Sequence, residues 1–294
     1  MQTMRRVGLF VVALVVSVLV APAPVHGAGK ASVAALQIAL RSKGLYGAAI
    51  DGVRGPRTAA ALRRFQRRAG LHADGVVGPR TRRALGRLGR PRLGSRPLRH
   101  GLVGWDVAAL QFELARHGFA SGFDGIFGDV TQAKVREYQR FVGLGVDGIA
   151  GPATLRSMRG PATVPFRLAG NSVGIRAVHL AERYLGVPYV WGGDSPAGGF
   201  DCSGLVQYVY GLLGVPLLHG SRWQLRSGRP VARSRLDAGD LVFFEQTKRG
   251  PRHVGIYVGR GWLIEAPHTG DVVRFSQLDV RSRALGYVGA VRVS

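Results

Sequence analysis

The stretch "GGFDCSGLVQYVYGLLG" at residues 198–214 holds Cys202, the single cysteine of a 294-residue chain. A lone cysteine cannot close an internal disulfide, so it is either an apolar filler or a free thiol kept for its reactivity. Its position argues for reactivity. Residues 203–213 repeat as a helix, with Leu205, Val209 and Leu212 on one face, Val206 and Leu213 beside them, and Gly214 and Pro216 as stops. Cys202 therefore falls at a helix N-terminus, where unpaired amides and the helix dipole favour negative charge and so a thiolate. A filler would lie further along, on the apolar face. Asp201 and Ser203, on either side of it, could each cap the helix.

A thiol nucleophile needs a base, and the base needs a third group to hold it. Of the eight histidines, His26 lies in the leader and His72, His100 and His117 in the N-terminal half. His179 belongs to a helix over residues 175–185 and suits a surface, while His219 sits in the loop "LLHGSRWQ". His253 opens "HVGIYVG", a strand by alternation: Val254, Ile256 and Val258 face one side, and His253, Gly255 and Tyr257 the other. His253 is the expected base.

Two groups could orient it, Glu265 and His268, and the hairpin "HVGIYVGRGWLIEAPH" decides between them. A three-residue loop of Gly259, Arg260 and Gly261 pairs Val258 with Trp262 and sets Glu265 opposite Gly255, one diagonal step from His253 on the same face. A two-residue loop of Arg260 and Gly261 sets His268 against His253 instead. The longer loop is favoured, because arginine is a poor residue for the positive φ of the tighter turn. The chemistry such a set could perform is acyl transfer. The thiolate attacks an amide carbonyl, helix-end amides hold the oxyanion, the imidazolium protonates the leaving amine, and water releases the thioester. It needs no metal or cofactor, and no metal-ligand spacing is visible.

The elements that position this set follow a duplicated segment. "VAALQIALRSKGLYGAAIDGVRGPRTAAALRRFQRRAGLHADGVVGPRTRRAL" at residues 33–85 aligns with "VAALQFELARHGFASGFDGIFGDVTQAKVREYQRFVGLGVDGIAGPATLRSM" at 107–158. Leu36-Gln37 matches Leu110-Gln111, Asp51-Gly52 matches Asp124-Gly125, Phe65-Gln66 matches Tyr138-Gln139, and Asp74-Gly75 matches Asp147-Gly148. Val33, Leu36, Ile38 and Leu40 before Gly44, then Ala59, Leu62 and Phe65 before Gly70, give helical stretches, so each copy is a compact three-helix unit. Thr58, Thr81, Thr131 and Thr154 are expected at helix starts. The copies carry no cluster of acids, histidines or cysteines, so their expected role is binding or spacing.

Composition places the chain. A hydrophobic content of 46% excludes wholesale disorder. The formal charge of +24 arises from 41 basic against 17 acidic residues and would attract polyanions. Nucleic acid is not the expected partner, since no binding motif appears and aromatic residues do not interleave with the basic runs. Arg5 and Arg6, an apolar run over residues 7–20 and "APAPVHGA" form an export signal with a cut after Gly27. The run is short for a membrane span and no second one follows, so a secreted chain without stable membrane association is expected once the signal is removed. Pro/Gly/Arg-rich connections mark the module limits. The expected organisation is a signal at 1–27, a first repeat at 28–90, a linker at 91–101, a second repeat at 102–160, a linker at 161–172 and a C-terminal module at 173–294.

Two resemblances bear on function. The repeats, with their frame "LQ…G…DG…G..T…FQ…GL..DG..G..T", resemble three-helix peptidoglycan-binding domains; the second copy departs from the frame at Tyr138 and Asp129. The C-terminal module resembles the NlpC/P60 family of papain-like cysteine peptidases, through "LGVPYVWGG", "FDCSGLVQYVY", "LDAGDLVFF" and "HVGIYVGRGWLIEAP". The resemblance implies two all-α binding domains followed by an α+β domain with an antiparallel sheet. It implies Cys202 as nucleophile and His253 as base, and aligns Glu265 with the family's third polar residue. Tyr189, Asp201 and Ser203 match positions that line the cleft and help bind the free amino end of a stem peptide, with Ser221 joining that wall. The implied protein is a secreted, wall-associated monomer that binds peptidoglycan, with anionic wall polymers as further partners, and cleaves the D-glutamyl–diamino acid bond. The alternatives are an inert wall-binding protein and an amidase that cuts another bond of the stem.

Overall fold

The protein is described by a computed structural model over residues 29–160 and 163–293. The export signal expected at 1–27 lies outside the described residues. No helix among those described is long and apolar enough to cross a membrane.

Each repeat is built from three helices: α1 (Ala31–Ser42), α2 (Pro56–Arg68) and α3 (Pro79–Ala84), then α4 (Trp105–Arg116), α5 (Asp129–Val142) and α6 (Pro152–Ser157). The duplication runs deeper than two copies. "DGVRGPRT", "DGVVGPRT", "DGIFGDVT" and "DGIAGPAT" form four equivalent corners, each pinned by a buried glutamine. At the first corner Gln37 Nε2 donates to Asp51 Oδ1 (2.6 Å), Val53 O (3.1 Å) and Thr58 Oγ1 (3.1 Å), and its Oε1 accepts from Gly52 N (3.0 Å). Gln66, Gln111 and Gln139 repeat the pattern. The corner glycines have φ between 67° and 76°, which a side chain resists, and this fixes the Asp-Gly pairs.

The threonines stand at the helix starts, inside the first turn rather than at the cap positions. Gly55, Gly78, Gly128 and Gly151 hold those positions without a side-chain cap. Thr58 stands in the first turn of α2, where its hydroxyl donates to Val53 O (3.0 Å) and accepts from Gln37. In the second repeat Tyr138 keeps the buried aromatic place of Phe65, and its hydroxyl meets Ser157 Oγ at 3.0 Å.

The third unit comprises α7 (Ser172–Glu182), β1 (Asp194–Ser195), β2 (Gly199–Phe200), α8 (Cys202–Gly211), α9 (Ser221–Gln224), β3 (Arg229–Pro230), β4 (Leu241–Thr247), β5 (Gly250–Gly259), β6 (Trp262–Glu265), β7 (Arg274–Gln277), α10 (Leu278–Leu285) and β8 (Tyr287–Arg292). Six strands form an antiparallel sheet in the order β3-β8-β4-β5-β6-β7. Val254, Ile256 and Val258 of β5 lie in the large core with Val178 of α7 and Leu205 and Val209 of α8. Val242, Phe244 and Leu263 face the opposite side, where Leu278 and Leu285 of α10 cover them. α7 begins before residue 175 because Asn171 caps it, its Oδ1 accepting from Gly174 N at 2.7 Å.

The units are not beads on tethers. α1 and α4 share an apolar core in which Ala34, Ala35 and Ile38 meet Trp105, Ala109 and Phe112. The second repeat packs on β6 and β7: Phe141 lies 4.5 Å from Phe275 and 5.1 Å from Trp262 between ring centroids, and Phe275 N donates to Gly118 O at 3.0 Å. The segments expected as linkers are packed. Leu98 is fully buried and pairs with Ala150, while Phe166 packs against Phe141 at 6.0 Å. Apolar side chains scattered through these Pro/Gly/Arg-rich stretches anchor them.

Candidate active site

Cys202 is the first residue of α8, and Asp201 is its cap. Asp201 Oδ1 accepts from Gly204 N (2.7 Å) and Ser203 Oγ (3.0 Å), and its Oδ2 accepts from Gly192 N (3.1 Å). Gly204 is required by a close approach, because a Cβ there would stand 2.0 Å from Gly193 O. The thiol is nearly buried, 3.7 Å from the carbonyl of Arg252, and stands close enough to the His253 ring to help hold its pKa up.

His253 lies at the start of β5, paired across the sheet with Phe244. Its Nε2 donates to Glu265 Oε2 at 2.7 Å, which leaves Nδ1 for the thiol. Glu265 is fully buried at the end of β6, and it also accepts from Ser276 Oγ (2.6 Å) and Arg281 Nε (3.0 Å). Burial opposes the charge on both partners, yet their mutual attraction and hydrogen bonds prevail. The His253 pKa is held above, and that of Glu265 below, the ordinary values, with Arg281 helping to lower the latter. The site thus favours an imidazolium beside the sulfur.

The hairpin reaches this geometry by a different turn from the one expected. The loop has two residues, Arg260 and Gly261, at φ 50° and 77°, and Gly259 pairs with Trp262. An uninterrupted ladder from that turn would bring His268 against His253. A bulge between Tyr257 and Gly259 absorbs one residue, so that Ile256 pairs with Ile264 and Glu265 returns to the level of Gly255. His268 is exposed, with Nδ1 3.0 Å from Thr269 O.

The remaining expected site residues divide into two kinds. Tyr189 is half-buried beside the thiol; burial first, then the charges of Cys202 and Asp201, push its pKa up to about 12. Ser203 and Ser221 are buried, and their hydroxyls donate inward, to Asp201 and to Pro251 O (2.7 Å). Ser221 thereby ties α9 to β5. Three participants were not anticipated from the sequence. Arg281 and Ser276 gather on Glu265, and His219 Nε2 stands 2.9 Å from both oxygens of Asp201. His219 was visible as a loop histidine, but nothing local pointed it at Asp201, 18 positions away.

A thiol at a helix N-terminus, met by a histidine that a buried carboxylate holds from behind, is the arrangement of a thiol peptidase. Residues 186–292 match the NlpC/P60 family model, and residues 29–85 and 104–158 match that of a peptidoglycan binding domain. The chain belongs to the NlpC/P60 family, its family domain preceded by two peptidoglycan-binding domains. It is 44% identical over 121 residues to the murein DD-endopeptidase MepH of Escherichia coli (strain K12), over 40% of this chain and 45% of that protein. It is 48% identical over 94 residues to a gamma-DL-glutamyl hydrolase of Bacillus subtilis (strain 168), over 31% of this chain and 23% of that one. The solved NlpC/p60 domain of the peptidoglycan hydrolase SagA is 36% identical, with 41% of this chain and 98% of that domain covered at a TM-score of 0.37. The chain spans less than half the length of these two curated relatives.

Proposed function

We propose that the protein is a wall-associated peptidoglycan endopeptidase that cleaves the stem peptide at the D-glutamyl–diamino acid bond, with no metal or cofactor in the reaction. The observation that carries this is the chain of contacts from Cys202 through His253 to Glu265. Cys202 is the nucleophile and His253 the base and later the acid; Glu265, held by Ser276 and Arg281, orients the imidazole and stabilises its charged form. The amides at the start of α8 receive the oxyanion. Tyr189 and Asp201 wall the cleft, and Ser203 and Ser221 hold its shape from beneath. The two repeats bring the module to its polymer, and the basic surface adds attraction to anionic wall polymers. An inert wall-binding protein would have no use for a buried charged pair aimed at its only thiol.

The relatives favour more than one bond. One relative is named a DD-endopeptidase and another a gamma-DL-glutamyl hydrolase, so cleavage of a D,D cross-link is the second reading. Digestion of purified peptidoglycan, with fragments identified by mass, tests both. Release of fragments cut after D-glutamate is expected, and Cys202→Ala should release none while melting as the parent does. Monomers with intact stems would instead establish the cross-link as the target. Equal release by Cys202→Ala would overturn the thiol mechanism.

A further inference from the structure

We propose that the cavity between the second repeat and the catalytic domain is a binding site for a sugar phosphate, held by Arg140, Arg260 and Gln277 and separate from the chemistry at Cys202. The cavity has a volume of about 340 Å³. It is lined by the end of α5, by Pro165 and Phe166, by the turn between β5 and β6, and by the junction of β7 with α10. Small-molecule sites run from about 300 to 1,000 Å³ and concentrate between domains. From His253, β5 carries the chain roughly 20 Å to this turn, at about 3.3 Å per residue, so the thiol is remote from it. Phe141, Phe166 and Trp262 give the cavity an apolar wall on which the C–H face of a sugar ring can pack.

The donors come from three elements. Arg140 lies in the last turn of α5, Arg260 in the hairpin turn and Gln277 at the end of β7. Both arginines are exposed, and among the described residues neither has an ion pair or a side-chain hydrogen bond. The Arg260 guanidinium stands 4.8 Å from the centroid of the Phe166 ring, a contact that leaves its N–H groups unspent. Gln277 Nε2 is buried without a hydrogen-bond partner, so turning that amide toward an acceptor in the cavity forfeits no bond. Arg260 also holds φ 50° at the first central position of a two-residue turn, where asparagine, aspartate or glycine is usual. The turn by itself does not select arginine; the place of its side chain on the cavity gives it a use.

The groups that would oppose an anion are already occupied. Asp279 is the carboxylate on the lining, and Arg233 pairs with it at 2.6 Å. At the end of α5 the carbonyls of Gln139 and Arg140 accept from Leu144 N (2.9 Å) and Gly143 N (3.4 Å). The cavity is therefore left with two uncompensated positive charges. A guanidinium fork suits phosphate and carboxylate alike. Phosphate is favoured because its oxygens point in tetrahedral directions and can be met from three elements at once, whereas the two oxygens of a carboxylate lie in one plane.

Calorimetric titration of the full chain with N-acetylglucosamine 1-phosphate tests the proposal, with N-acetylglucosamine, inorganic phosphate and N-acetylmuramic acid as comparisons. The sugar phosphate is expected to bind a single site at least tenfold more tightly than each of the three. Arg140→Ala should weaken it at least fivefold. Arg260→Gly should do the same while melting close to the parent, because glycine accepts φ 50° without strain. Arg67→Ala, which removes an equally exposed arginine from the first repeat, should leave the affinity within twofold and so separates a built site from general surface charge. The titration reads binding and not cleavage, so its outcome is independent of which bond is cut at Cys202. Equal affinity for N-acetylmuramic acid or for inorganic phosphate, equal weakening by Arg67→Ala, or an affinity that Arg140→Ala/Arg260→Gly leaves within twofold would overturn it.

Discussion

Gln139 in the second repeat and Glu265 in the catalytic domain are both buried polar side chains that gather several partners, and they do opposite things. Gln139 donates to Asp147 (2.7 Å), Ile149 O (3.0 Å) and Thr154 (3.1 Å) and accepts from Gly148 N (2.9 Å). That network closes a chain corner, carries its one charge on Asp147 near solvent, and occurs four times. Glu265 accepts from Ser276, Arg281 and His253, and its network ends on the imidazole beside the thiol. The first arrangement satisfies the backbone. The second stores charge at a defined place and leaves one valence open. Buried polarity is structural where every partner is satisfied within the corner, and chemical where the chain of partners runs out at a reacting atom.

Within these two networks Glu265→Ala should be the most damaging change. It leaves Arg281 a nearly buried cation without its partner and His253 without its acceptor, for which roughly 3–5 kcal/mol of stability is lost. Turnover on peptidoglycan should fall by about a hundredfold or more, since the base loses its orientation and its charged form. Turnover within threefold of the parent, in protein shown to be folded, would reduce Glu265 to the structural role of Gln139.

Gln139→Ala should cost less, about 2–3 kcal/mol, by leaving Gly148 N and the Asp147 and Thr154 groups short of partners. Calorimetric melting reads this loss. The loss should be nearly constant between pH 6 and 9, because the amide does not titrate.

The two networks should also separate by pH. The His253 pKa rises from 6.5 to about 9, so its contribution to stability is whole below 6.5 and disappears as pH climbs through 9. The Glu265 pKa falls from 4.5 to about 2, so its contribution is whole above 4.5 and disappears as pH drops toward 2. Both are in place between 4.5 and 6.5. The parent should lose melting temperature from pH 6.5 to 9, and Glu265→Gln should lose much less over that range. Parallel curves would show that the pair carries no net charge coupling. His268→Ala should have the smallest effect, within about twofold in turnover, because the bulge in β5 keeps that exposed ring away from His253.

Much of this was legible in the chain itself. Cys202 stood out as the only thiol before a helical run. Two-residue alternation assigned Val254, Ile256 and Val258 to the core and His253 to the other face, since side-chain direction along a strand is a local property. The repeat frame could be read because glycine at positive φ and a glutamine reaching the next corner are demands within a few residues. The threonines were legible as helix-start residues, but a hydroxyl in the first helical turn and one at the cap have the same local signature; only the glutamine opposite distinguishes them.

Tertiary structure decided the rest. The hairpin turn and the bulge at Val258 offset each other, and a bulge depends on sheet twist and neighbouring strands rather than on the residue that forms it. Arg281 and Ser276 reach Glu265 from α10 and β7, and His219 reaches Asp201 from the loop before α9; each contact joins segments that have no short-range relation. The fusion of the second repeat to β6 and β7 through Phe141, Trp262 and Phe275 is of the same kind. Sequence periodicity says which face of an element is apolar, but the partner that covers it is chosen only when the elements pack.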